Sequence, residues 1–194
     1  MTATTATTAA AAPTRNGIDV DQLVSTVKAV QENPGLARFQ FRAQSTWEGG
    51  ARSRTTIQGF YGAGQEDPSR TQPFELRGDE PPVLLGTNTA PNAVETVLAA
   101  LASCLAVGFV YNAAAQGITI EALDFELQGD LDLQGFLGLS DQVRSGFSAI
   151  ALTARVRADA PRDQLAALWE YVQRTSPVLD IIRNPVPVTV ALAD

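Results

Sequence analysis

The most restrictive feature of this sequence is an uncharged stretch, residues 96–120, in which alanine predominates. Its 25 residues could cross a bilayer, which takes about 20 apolar residues. The flanking charged residues are Glu95 and Glu121, however, and the basic anchors typical of a membrane-spanning helix are missing. We therefore predict no membrane span. A helix that is apolar on every side is more simply the centre of a soluble core.

This central helix is predicted to begin at Pro91, which suits a first helical position, and to reach about Gln116, with Gly117 as its stop. A helix without a polar face needs apolar surface on both sides, whereas one sheet covers only one of them. A symmetric partner would supply the second surface. The sequence therefore predicts a homodimer.

Alternation of apolar and polar residues predicts strands on both sides of the central helix. The predicted strands are residues 38–47, 53–61, 74–77, 123–134, 150–157 and 186–192, and further helices are predicted at 18–33 and 161–176. Strands joined by short turns favour an antiparallel sheet with helices on one face, an α+β fold. We expect residues 1–17 to be a disordered tail and 18–194 a single domain, with a leading helix in 18–35 and a core in 38–192.

Composition excludes several classes of function. The net charge is −7 and the 14 basic residues form no cluster, so we expect no nucleic-acid partner. The chain has no histidine, which removes Ser-His-Asp and Cys-His catalysis, and we expect neither a metal nor a cofactor. Cys104 is the single cysteine and cannot close an intrachain disulfide, which favours a cytoplasmic location.

Several short motifs occur in a specific order along the chain. They are Leu-Gly-Thr-Asn at 85–88, Pro-Asn-Ala-Val-Glu at 91–95, Leu-Ala-Ala-Leu-Ala-Ser-Cys at 98–104, Ser-Pro-Val at 176–178 and Asn-Pro-Val-Pro-Val at 184–188. With them the chain resembles the OsmC/Ohr family, the osmotically induced and organic-hydroperoxide-resistance proteins, over residues 38–192. The resemblance implies an intertwined homodimer in which antiparallel sheets wrap around long central helices, with a thiol site at the subunit interface.

The best-known members of this family reduce organic hydroperoxides with a peroxidatic cysteine, which a second cysteine resolves and an Arg and a Glu assist. Cys104 matches the peroxidatic position, and Ser176 stands where the resolving cysteine would be, so the chain resembles a divergent member without the second cysteine. The family's Arg follows a Gly-Gly pair, which makes Arg52 the candidate catalytic residue and Arg54 a further candidate for binding.

Glu95 is the candidate for the family's glutamate, but it lies nine residues before Cys104 instead of ten. Nine residues place Glu95 on the opposite side of the helix and about 13 Å along its axis. A catalytic contact would therefore need a partner chain or a break in the helix. Its position favours an interaction with the positive end of the helix dipole.

Two hypotheses about function follow. In the first, Cys104 reduces hydrophobic organic hydroperoxides in a one-cysteine cycle, with Arg52 assisting and an external thiol as reductant. In the second, the protein has kept the fold without the chemistry, and it binds an apolar small molecule or acts as a scaffold. The apolar loop residues Phe136, Leu137 and Leu139 are predicted either to pack into the dimer interface or to form a mobile lid over an apolar ligand site.

Overall fold

A computed structural model of the chain describes residues 14–193. The strands are β1 (Thr14–Arg15), β2 (Ile18–Asp19), β3 (Gln40–Phe41), β4 (Gln44–Gly49), β5 (Arg52–Ile57), β6 (Phe60–Gly62), β7 (Gln65–Asp67), β8 (Phe74–Gly78), β9 (Ile120–Asp130) and β10 (Ala149–Ala158). The helices are α1 (Val20–Glu32), α2 (Ala93–Ala115), α3 (Leu133–Phe136), α4 (Arg162–Thr175) and α5 (Pro177–Arg183). Short 3-10 helices lie at Pro34–Ala37 and Pro82–Leu84.

The hydrophobic core forms where α2, α4 and α5 cover one face of the antiparallel β9–β10 pair. Leu101, Leu105 and Phe109 of α2 are fully buried there, and the inward residues of β9 and β10 pack against them. Burying a side chain of this size stabilises the fold by about 1.5–3 kcal/mol. The outward residues of both strands are exposed, which is the alternation that predicted the strands. The α+β fold with helices on one face is confirmed.

The N-terminal half forms two further antiparallel sheets, ordered β3–β6–β7 and β4–β5–β8. Each of the long strands predicted at 38–47 and 53–61 is divided in two. The segment between the strands predicted at 53–61 and 74–77 contains a further short strand, because β7 pairs with β6 across a tight turn. Ala63 and Gly64 occupy this turn with positive φ values of 49° and 85°, the conformation that two-residue hairpin turns require.

Large apolar side chains of these N-terminal sheets are exposed. Phe39, Phe41 and Phe60 stack on one another, yet the first two lie largely in solvent. Trp47, which alternation predicts to pack in the core, is 74% exposed. Trp169 does pack, next to Phe109 and Phe125. A surface of this kind indicates contact with another molecule.

Prolines mark helix boundaries differently from the prediction. Pro91 precedes α2, whose N-cap is Asn92, and Pro161 is the N-cap of α4. Pro177 was predicted to end the second core helix, but it is also the first residue of α5. Its missing N–H and fixed φ suit this first position, which has no intrahelical partner for an N–H group.

The ends of the chain also differ from the prediction. Residues 1–13 of the predicted tail lie outside the described range, while Thr14–Arg15 already pairs with Ile18–Asp19. The side-chain amide of Asn16 donates to Ile118 O and accepts from Ile120 N, both at 2.9 Å, and so ties this hairpin to the start of β9. The strand predicted at 186–192 was wrong for the single chain: this segment has no regular structure.

Helix α2 is long and apolar enough to cross a membrane by length and composition. Within its most apolar stretch, 17% of the residues are buried inside the chain. A core helix passes the same test. Its face opposite the core carries Val107 and Tyr111, both exposed. The chain therefore leaves one side of its most apolar helix uncovered.

Candidate active site

Cys104 lies on the side of α2 that faces α4 and the start of α5. It is half-buried and borders an open pocket of about 440 Å³, which we call the thiol pocket. The pocket is lined by Ala100, Ser103, Cys104, Val107, Gly108, Val172, Thr175, Ser176 and Pro177. A small ligand can therefore reach the sulfur across a mostly apolar wall.

Close packing of α2 on α4 creates this geometry. A Cβ atom at Gly108 would lie only 3.2 Å from a methyl carbon of Val172, so the missing side chain lets the two helices approach. This approach brings the end of α4, where Ser176 is the last residue before Pro177, to the level of Cys104. The distance between Cys104 Sγ and Ser176 Oγ is 3.2 Å.

Ser176 is 5% exposed, and its hydroxyl makes two contacts. Its Oγ accepts a hydrogen bond from the backbone N–H of Leu179 at 3.3 Å, which caps α5. Because the oxygen accepts there, its hydroxyl proton remains available to the sulfur of Cys104. Cys104 and Ser176 are thus neighbours within one chain.

The two candidate arginines, Arg52 and Arg54, lie on the β4–β5 hairpin, distant in sequence from Cys104. The guanidinium of Arg52 donates to the carbonyl oxygens of Gly49 and Glu48 at 3.4 and 3.5 Å, which are long hydrogen bonds. Arg54 forms ion pairs with Glu48 and Glu75 at 2.8 and 3.3 Å, and its hydrogen bonds to these carboxylates raise its pKa. Neither arginine lines the thiol pocket of its own chain.

Glu95 takes part in a capping box at the start of α2. Its carboxylate accepts from the backbone N–H of Asn92 at 2.8 Å, and the Asn92 side chain accepts from the N–H of Glu95 at 2.9 Å. Both contacts satisfy backbone donors that a helix N-terminus leaves free. The structure therefore gives Glu95 a role in starting the helix, two and a half turns away from Cys104.

The apolar loop residues lie away from the thiol pocket. Phe136 ends α3, and Leu137 and Leu139 follow it on either side of Gly138, whose φ of 67° reverses the chain. All three apolar side chains are exposed. They line no wall of the thiol pocket, and the choice between dimer interface and ligand cover stays a prediction.

Asp79 is a buried charged residue that our sequence analysis missed. It is 2% exposed and accepts hydrogen bonds from the backbone N–H and the hydroxyl of both Thr87 and Thr89, and from the N–H of Glu80. These hydrogen bonds, the one from the Thr87 hydroxyl foremost, hold the pKa of Asp79 far below its usual range. The carboxylate shapes the loop that leads into α2. An acid directly after a strand and before a Thr-Asn-Thr segment is the signal that could have indicated it.

Within residues 14–193, no group of Cys, Asp and Glu side chains is arranged to hold a metal ion.

Among curated proteins, none is significantly similar to this sequence. Among solved structures, the fold is similar to an OsmC-like protein from Mycoplasma pneumoniae, with a TM-score of 0.57 and 15% identity over 75% of this chain and 89% of that one.

Two further structures share the fold at low identity. An organic hydroperoxide resistance protein OsmC from Legionella pneumophila has a TM-score of 0.51 and 18% identity, covering 75% of this chain and 90% of that one. An OsmC-like protein of unknown function from Vibrio cholerae has a TM-score of 0.51 and 15% identity, covering 73% and 92%. The family model of OsmC-like proteins matches residues 86–191, more than half of the sequence. The chain therefore belongs to the OsmC-like protein family.

Proposed function

We propose that this protein reduces organic hydroperoxides with Cys104 as its only reactive thiol, as a cytoplasmic homodimer. The observation that carries the proposal is the sulfur of Cys104, which borders an open, mostly apolar pocket and lies 3.2 Å from the Ser176 hydroxyl. An apolar wall favours the organic part of a hydroperoxide over hydrogen peroxide. The name of the Legionella pneumophila protein that shares this fold supports the same kind of chemistry.

In the first step the thiolate attacks the outer oxygen of the hydroperoxide and the O–O bond breaks. The sulfur becomes a sulfenic acid, and the organic part leaves as an alkoxide that takes up a proton to become an alcohol. The Ser176 hydroxyl can donate to sulfur before the attack. It cannot form a disulfide afterwards. An external thiol therefore condenses with the sulfenic acid and releases water, and a second external thiol then regenerates Cys104.

A positive charge near the sulfur would stabilise the thiolate and the departing alkoxide. Among residues 14–193 no charged side chain lines the thiol pocket, so we assign this charge to a second copy. Arg52 suits this role better than Arg54, because its guanidinium is held only by two long hydrogen bonds to carbonyl oxygens, whereas Arg54 is held by two carboxylates.

Stopped-flow mixing of the reduced protein with cumene hydroperoxide, followed by intact-mass analysis, tests the proposal. We expect one added oxygen on Cys104 and no reaction in Cys104→Ser. Arg52→Gln should slow the reaction by about a hundredfold, the usual cost of losing one stabilising donor, whereas Arg38→Gln serves as an exposed control and should not. Absence of a sulfenic product, or an equal rate in Cys104→Ser, would refute the proposal.

The second candidate function is the binding of an apolar small molecule or a scaffold role without catalysis. It is favoured by the uncharged lining of the thiol pocket in the single chain. This function predicts that iodoacetamide alkylates native Cys104 slowly and that an apolar molecule copurifies or raises Tm. Fast alkylation at neutral pH, with no ligand detected by native mass spectrometry, would contradict it.

A further inference from the structure

A second cavity lies on the neighbouring face of α2. It has a volume of about 570 Å³, within the range of about 300–1,000 Å³ typical of small-molecule sites. It lies between α2, β10, α4 and α5 and shares no lining residue with the thiol pocket. Its apolar walls include Leu101, Leu105, Ile150, Leu152, Trp169 and Ile182.

Two arginines also line this second cavity. Arg144 reaches it from the loop before β10, and Arg183 reaches it from the end of α5. Within residues 14–193, neither side chain forms an ion pair or donates a hydrogen bond. Both residues are exposed, as are Arg42 and Arg155, each of which is bound to a glutamate. The cavity thus combines apolar side chains with two guanidinium groups that have no anionic partner within residues 14–193.

We propose that the second cavity binds an anionic amphiphile, a molecule with a carboxylate head and an apolar tail. A carboxylate can accept charge-assisted hydrogen bonds from Arg144 and Arg183. The tail would displace water from the apolar wall between α2 and β10, which is favourable in proportion to the apolar area covered. This inference goes beyond the proposed function, because the ligand binds without contact to Cys104.

The two tryptophans of the chain allow a direct binding measurement. Trp169 lines the second cavity and Trp47 does not, so in the Trp47→Phe variant the emission reports on this cavity. We expect sodium decanoate to change the emission of Trp169 with saturation. In that background, Arg144→Gln with Arg183→Gln should weaken decanoate binding about tenfold or more. The neutral analogue 1-decanol should bind both proteins equally.

Two further variants distinguish this site from its alternatives. Ala149→Phe, which places a ring in the lining, should abolish decanoate binding, and Cys104→Ala should leave it unchanged. Loss of binding in Cys104→Ala would assign the ligand to the thiol pocket and overturn the inference. Decanoate binding that is insensitive to the arginines would overturn it too. The inference would also be overturned if the wild-type protein binds no decanoate and the Ala149→Phe substitution changes the oligomeric state, because a second copy would then fill the cavity. Failure of Cys104 to react with peroxide would leave the inference intact.

Discussion

The hydroxyl of Ser176 lies at a place from which the sulfur of a cysteine could reach the sulfur of Cys104. The Sγ–Oγ distance of 3.2 Å means that Ser176→Cys would bring two sulfur atoms into range of a disulfide after minor side-chain rotation. We predict that one equivalent of cumene hydroperoxide converts this variant to an internal disulfide. Intact mass would fall by two hydrogen atoms, and thiol titration would find no free thiol. Loss of the α5 cap costs about 1 kcal/mol.

Thr175→Cys is the matched control for this prediction. Thr175 lines the same pocket, but its hydroxyl donates to Tyr171 O at 3.0 Å and forms no hydrogen bond with Cys104. We expect no internal disulfide in this variant. The position of Ser176 beside the sulfur would be wrong if both variants form the disulfide equally. It would also be wrong if Cys104 is oxidised in Ser176→Cys while the introduced thiol stays free.

Asp79 should make the stability of the protein depend on pH. Its pKa is lowered in the folded state, so its contribution is complete above the unfolded pKa of about 3.9 and declines as the pH falls below that value. Asp79→Asn should lower the urea midpoint at neutral pH, because an amide nitrogen would face the donors of Thr87 and Thr89. The difference from wild type should shrink progressively as the pH falls below about 4.

Asp67→Asn is the control for Asp79. The Asp67 carboxylate accepts hydrogen bonds only from Ser69, at an exposed turn. Urea unfolding at several pH values should therefore show a smaller loss for Asp67→Asn than for Asp79→Asn. An equal loss, or a difference for Asp79→Asn that is independent of pH, would contradict the role given to the buried carboxylate.

At the level of elements, the capping box separates the structural from the catalytic interpretation of Glu95. Asn92→Ala should cost about 1 kcal/mol of unfolding free energy. Glu95→Gln should cost less, because its amide oxygen can still accept from the N–H of Asn92. We predict that Glu95→Gln leaves the stopped-flow rate of Cys104 oxidation unchanged. A drop of more than about tenfold with unaltered stability would instead place Glu95 in the reaction.

Helices and strands that have at least one face covered within one chain could be predicted from the sequence. Helix α2 follows from its uncharged composition, and β9 and β10 follow from alternation, because one face packs on helices and the other meets water. Pro177 was ambiguous, since proline both ends one helix and begins another. The strand at 186–192 shows a further limit. Alternation indicates a strand, but it does not say which chain supplies the neighbouring strand.

The candidate site likewise contains some residues that one chain brings together and others that it does not. The resemblance placed Cys104 and Ser176 together, and both lie where α2 packs on α4, so the single chain brings them into contact. Arg52 belongs to a hairpin that does not reach the sulfur of its own chain. Asp79 was missed because its hydrogen bonds depend on the path of the loop that contains Thr87 and Thr89. Local packing is readable from sequence, whereas long-range loop geometry is not.

At the scale of the whole molecule, the exposed area argues for a partner. The chain exposes 14465 Å², whereas a compact monomer of its length exposes about 9,000 Å². Three apolar surfaces contribute to the excess: the uncovered face of α2, the N-terminal sheets and the segment 186–192. Apolar surfaces of this kind are typical of obligate dimers, whose interfaces bury roughly 2,000 Å² or more.

The C-terminal segment offers a sharp test of this dimer. Val188 is 75% exposed in the single chain, and in an extended segment Thr189 points to the opposite side. If the segment adds a strand to a second copy with its valines inward, Val188→Asp would bury a carboxylate at the interface. We predict that Val188→Asp sediments as a monomer at micromolar concentration, while Thr189→Asp remains dimeric. If Val188→Asp lowers Tm without changing the sedimentation of a dimer, the segment packs on its own chain. A wild-type protein that sediments as a monomer would remove the dimer, and with it the route by which Arg52 reaches the sulfur.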